Sequence, residues 1–155
     1  MAMLLFASHP KPVRDAIEQH RRGFDANPVL YLHENMERCE TAARAAVAAY
    51  VGGAPEDVAL TGNTTTGLAV VYGGLPLKKG QEIVTTTHDH YVTHEALRQR
   101  AVHTGAAVRK VQLYAAPSKA SEDEIVGNLV KAVGPRTRAV AVTWVHSSTG
   151  VKLPI

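Results

Sequence analysis

The hydrophobic positions change rhythm near residue 55. Before it they recur at helical spacing: Val13, Ile17 and His20 share one face of a helix that opens at Pro12, a residue favoured in a first turn. Asn27-Pro28 breaks that helix. Met36, Cys39, Ala43, Val47 and Tyr50 keep the same spacing through an alanine-rich run from Glu34 to Tyr50, which stops at Gly52-Gly53. That stripe reads as a packing face. Beyond residue 55, short β-rich runs alternate with helical patterns. Strands are predicted at 57–61, 81–86, 107–113 and 138–145, and helices at 64–72, 89–103 and 121–133, the last with Ser121 and Glu124 spaced as a capping box. The run at 138–145 is apolar nearly throughout, as a central parallel strand should be. The order β-α-β-α-β-α-β predicts an α/β fold, a mostly parallel sheet with flanking helices. A helical segment over 1–54 precedes this α/β domain at 55–155.

Composition narrows the class. A chain of 155 residues holds about one domain. With 45% hydrophobic and 20% charged residues it is neither disordered nor fibrous. The net charge of +3 comes from scattered cations, densest at Arg21-Arg22 and Lys78-Lys79, so no nucleic-acid partner is expected. The single cysteine, Cys39, rules out a disulfide framework and points to a reducing cytoplasm. The longest apolar stretch, 45–51, falls far short of the ~20 residues that span a bilayer. The segment 1–7 lacks a charged n-region and a cleavage site, which leaves open only a leader already removed.

Ligands of such sheets collect outside the carboxyl ends of the strands, and three segments there carry chemistry. In Gly62-Asn63-Thr64-Thr65-Thr66-Gly67, Asn63 or Thr64 caps a helix whose free N–H groups and threonine hydroxyls make an anion site. A plain helix cap is the alternative. The segment matches neither phosphate-loop nor dinucleotide fingerprint. His88, His90 and His94 crowd the start of the next helix around Asp89 and Tyr91. His90 and His94, at i and i+4, could share a metal with His146. The alternatives are a polar helix entrance capped by Asp89, or one imidazole lying flat over a planar ligand. His146-Ser147-Ser148-Thr149-Gly150 offers hydroxyls and an imidazole, but no Gly-x-Ser-x-Gly motif accompanies them.

Taken together and in order, these segments resemble the amino-terminal portion of class V aminotransferase-type enzymes, which are fold type I and depend on pyridoxal 5'-phosphate (PLP). The resemblance runs from Ser8-His9-Pro10 through Asn27-Pro28-Val29-Leu30-Tyr31-Leu32 and Pro55-Glu56-Asp57-Val58-Ala59-Leu60-Thr61. It is closest from Gly62 to Leu68 and through His88-Asp89-His90-Tyr91, and it ends at Val145-His146-Ser147-Ser148-Thr149-Gly150. Proteins labelled isopenicillin N epimerase-like are the nearest kin, with cysteine desulfurases more distant.

The resemblance implies a partial large domain of a fold type I transferase. Asn63 and Thr64 would hold the cofactor phosphate with Thr65 in support, and His90 would stack on the pyridine ring, with His88 and Tyr91 as substitutes. Ser147 falls where relatives place an Asn or Thr near the ring's 3-hydroxyl; serine is shorter and donates one hydrogen bond. The family's Asp for the pyridine nitrogen, its Schiff-base Lys and its substrate-gripping Arg are expected after Ile155. None of Lys11, Lys78, Lys79, Lys110, Lys119, Lys131 or Lys152 stands in a matching setting, so no catalytic residue is expected in this chain, which reads as truncated.

The expected function is therefore the cofactor-binding portion of an enzyme acting on an amino acid at or near Cα, by transamination, epimerisation or C–S cleavage. A homodimer of the complete enzyme, or association with a complementing chain, goes with it. The alternatives are a non-catalytic fragment or subunit needing a partner chain, and a metallohydrolase built on His90, His94 and His146.

Overall fold

Helix α1, Lys11–Ala26, carries Pro12 in its first turn, where the missing N–H costs nothing. The computed structural model describes residues 8–155; residues 1–7, considered above for a leader, lie outside the described residues. The chain divides into two units, one ending at Leu60 and one running from Thr61 to Ile155.

In the first unit, α2 spans Pro28–Val51, six residues longer at its start than its apolar stripe predicts. Asn27 supplies the reason: its side chain accepts from the Leu30 N–H at 3.1 Å, and Pro28 follows at the first helical position. The break at Asn27-Pro28 thus starts the next helix at once. Gly23 lets the two helices close, since a Cβ there would overlap the Tyr31 ring. That ring is held by its hydroxyl, 2.6 Å from His20 Nδ1. Helix α2 ends on Gly52 in the left-handed region (φ 77°).

The strand predicted at 57–61 does not form. Pro55–Asp57 make a single 3-10 turn, residues 58–60 carry no regular structure, and Leu60 is 51% exposed. β-branched residues favour a strand only where a neighbouring edge pairs with it, and among the described residues none does.

The second unit runs α3 (Thr64–Gly74), β1 (Glu82–Thr86), α4 (Tyr91–Thr104), β2 (Ala107–Val111), α5 (Glu122–Ala132) and β3 (Thr137–Ala141). The three strands are parallel in the order β2-β1-β3, with Ile83 facing Val108 and Ala139. The central strand is β1, buried along its whole length. The apolar run expected at the centre instead forms β3, an edge strand of alternating burial that stops at Ala141 rather than Val145. It stops because the Thr143 N–H goes to the Asp89 carboxylate (2.8 Å).

Ile83, Ala141 and Leu97 of α4 form a core on one face of the sheet, with Tyr72 of α3, Val108 and Ala139 packed against them. Leu113, Tyr114, Leu153 and Ile125 of α5 form the core on the other. Helices on opposite faces follow from right-handed crossovers leading to opposite sides of β1. At the amino ends of the strands, Glu82 ties the sheet together. Its carboxylate accepts from Thr137 Oγ1 at 2.9 Å and pairs with Arg109 at 2.9 Å.

Candidate functional site

Helix α4 returns from β1 to β2, which puts its amino end outside the carboxyl ends of the strands. Helix α3 follows no strand, and its direction comes from its packing on α4. Ala69 and Gly73 of α3 line one groove with Ala96 and Arg100 of α4, and Arg100 Nε donates to the Leu75 carbonyl just past α3 (3.0 Å). Their carboxyl ends meet, so their amino ends point the same way.

Asn63 caps α3. Its side-chain oxygen accepts from the Thr66 N–H at 2.8 Å and the Thr66 hydroxyl at 3.1 Å. Thr64 and Thr65 occupy the exposed first turn, whose amides have no intrahelical acceptor, and among the described residues their hydroxyls make no hydrogen bond. The first turn of α3 thus presents uncommitted donors at the positive end of a helix dipole.

His90 caps α4. Its Nδ1 accepts from the Val92 N–H at 3.3 Å, which puts the ring proton on Nε2 and leaves the imidazole exposed, tilted beside Tyr91. Asp89, read from the sequence as that cap, does something else. It is 7% exposed, and its Oδ2 accepts from the Thr85 hydroxyl (3.0 Å), the Thr86 N–H (2.9 Å) and the Thr86 hydroxyl (2.8 Å). Its Oδ1 takes the Thr143 N–H, so one carboxylate fastens the end of β1 to the segment after β3. Burial pushes this carboxyl up, but the hydrogen bonds from Thr143, Thr86 and Thr85 outweigh it and hold it below its ordinary value.

The three histidines named for a metal each commit one ring nitrogen within the protein: His94 Nε2 donates to the Thr86 carbonyl at 2.7 Å, His146 Nδ1 lies 2.9 Å from the Tyr114 hydroxyl, and His90 Nδ1 caps its helix. Among the described residues no group of three His, Cys, Asp or Glu side chains could hold an ion.

Ser147 and Ser148 sit exposed on the turn after β3, with hydroxyls that make no hydrogen bond among the described residues. Beneath that turn His88 and His146, both singled out in the sequence, meet Tyr114, which the motif reading passed over. The His88 ring lies flat on Tyr114 (centroids 3.9 Å apart, planes within 5°), and His146, 1% exposed, sits 5.3 Å from His88. The Tyr114 hydroxyl also reaches Thr149 Oγ1 at 2.7 Å. Burial lowers the His88 pKa against the opposing charge of Asp89 and a Tyr114 backbone hydrogen bond. Burial likewise lowers that of His146, opposed by Asp89 and reinforced by His88. The rule that directs attention to strand ends would have found Tyr114, which follows the strand predicted at 107–113.

The arrangement can therefore take an anion at the start of α3 beside an exposed imidazole at the start of α4. A phosphorylated planar ring suits that donor set: uncommitted amides and hydroxyls for the phosphate, an open imidazole face for the ring.

A family model described as aminotransferase class-V matches residues 7–155. Isopenicillin N epimerase from Amycolatopsis lactamdurans is 32% identical over 147 residues, covering 94% of this chain and 36% of that protein. A probable cysteine desulfurase from Halobacterium salinarum is 33% identical over 111 residues, covering 67% of this chain and 27% of its own length. Among solved structures, a mutant of C-DES with glycine covalently linked to its PLP cofactor superimposes with a TM-score of 0.83 at 23% identity. It covers 94% of this chain and 37% of C-DES, and it shares the fold. The chain thus spans little more than a third of the epimerase it matches.

Proposed function

The chain belongs to the aminotransferase class-V family, and from that premise we propose that it is the cofactor-binding portion of a PLP-dependent enzyme acting on an amino acid at or near Cα. The observation that carries the reading is the pair of helix starts at one sheet edge, one with open donors and one with an open imidazole. PLP, when bound, delocalises the electron pair left at Cα as a bond there breaks. The protein's share is to hold and orient it. The Thr64 and Thr65 amides and hydroxyls bind the phosphate, and Asn63 keeps them aimed by closing the first turn of α3. His90 covers one face of the pyridine ring, and its bond to Val92 fixes the plane of the imidazole. Ser147 offers its hydroxyl to a ring substituent.

The printed names of the relatives, epimerase and cysteine desulfurase, support epimerisation or C–S cleavage, with transamination the remaining outcome. The Schiff-base lysine is assigned to the remainder of the whole protein. Its amino-acid substrate, its cytoplasmic location and its homodimeric state belong to the same proposal, the location supported by the lone Cys39. The test is PLP retention by the whole protein. His90→Ala is expected to weaken it, measured by dialysis and cofactor absorbance, and undiminished occupancy would refute the assignment of His90.

A further inference from the structure

The turn carrying Ser147 is closed by two backbone bonds, Gly150 N–H to His146 O at 2.8 Å and His146 N–H to Val151 O at 3.0 Å, with Gly150 in the left-handed region (φ 72°). Both residues at its base, His146 and Thr149, are fastened to one atom, the Tyr114 hydroxyl. The same tyrosine supports His88 on its ring face, two residues before His90. It comes from a third segment, the one after β2, and its ring is buried in the core beneath α5. Two buried ring nitrogens nearby, His88 Nε2 and His146 Nε2, have no partner among the described residues. Stability alone would favour apolar side chains here, so a polar cluster kept under such a cost argues for a role in the site above it.

We propose that Tyr114 is a positioning residue for the cofactor, setting the Ser147 turn through His146 and Thr149 and the approach to His90 through His88. This rests on the proposed PLP site. Tyr114 touches neither cofactor nor substrate; it fixes the places from which Ser147 and His90 reach the ring.

The test is Tyr114→Phe in the whole protein, which keeps the stack on His88 and removes one oxygen. PLP is expected to bind about tenfold more weakly, the scale of one lost buried hydrogen bond, with a shifted absorbance maximum of the bound cofactor. A merely structural tyrosine would lower the melting temperature and leave affinity and spectrum unchanged, and that result would overturn the inference. Thr149→Val cuts the same network from its other end and carries the same expectation should Tyr114→Phe fail to fold. If the wild-type protein binds PLP and both variants match it, the inference falls alone. If the wild-type protein does not bind PLP, the proposed site falls and the inference with it.

Discussion

Asp89→Asn isolates the tie between β1 and the end of β3. The native carboxylate takes three donors on Oδ2 and one on Oδ1. An asparagine has one acceptor oxygen. Placed on the Thr85–Thr86 side, it leaves its NH2 facing the Thr143 N–H, donor against donor; turned over, it deprives three donors at once. The cheaper orientation strands one buried N–H, at a cost of about 1–3 kcal/mol. The three bonds that survive lose their charge assistance, which roughly halves their strength. Against these losses stands the desolvation cost of the buried charge, which a neutral amide does not carry, so the net is about 2–4 kcal/mol, or a fall of about 1–2 M in the urea midpoint of the unit from Thr61 to Ile155. Urea unfolding followed by circular dichroism at neutral pH measures it. The sign with pH is also set. The folded Asp89 titrates below its ordinary value of 3.8, so its contribution is complete above that value and fades as pH falls through the folded one. The gap between wild type and variant should close in the same direction. A variant within about 0.5 kcal/mol of wild type at pH 7 would refute the reasoning, since that is the scale of an unremarkable surface change.

Two further outcomes are expected. His88 and His146 both titrate below 6.5 in the folded state, so the unfolded chain binds more protons below that value. Stability is then full above pH 6.5 and falls as pH drops toward the folded values; a melting temperature flat from pH 7 to pH 5 would contradict it. Gly23→Ala, which gains up to about 1 kcal/mol in an ordinary exposed helix, should instead destabilise the α1–α2 junction because its Cβ overlaps Tyr31. Tyr31→Ala in the same chain should restore the usual gain, read from helicity on heating.

Much of the second unit was legible because its elements obey local rules. Asn63 and Ser121 mark helix starts where the sequence places them, and the alternation of runs gives a parallel sheet. What was not legible depends on partners. The segment 57–61 has strand composition but, among the described residues, no edge to pair with, and the apolar run after Arg138 ends as a strand at Ala141 because Asp89 captures the Thr143 amide in its path. The capping box at Ser121 is half formed: Ser121 accepts from the Glu124 N–H, while the Glu124 carboxylate takes the Ala115 N–H at 3.2 Å. Of the proposed site, Asn63, Thr64, Thr65, His90 and Ser147 were named from segments whose order resembles the family's. The bonds from Tyr114 to His146 and Thr149 each span more than thirty positions, and no local pattern announces that they meet.

The most direct test is a crystal structure of the whole protein soaked with PLP. The phosphate should lie within hydrogen-bonding distance of the Thr64 and Thr65 amides, with the His90 imidazole flat over the pyridine ring. A phosphate bound away from the start of α3, or a ring that His90 does not cover, would contradict the proposed site.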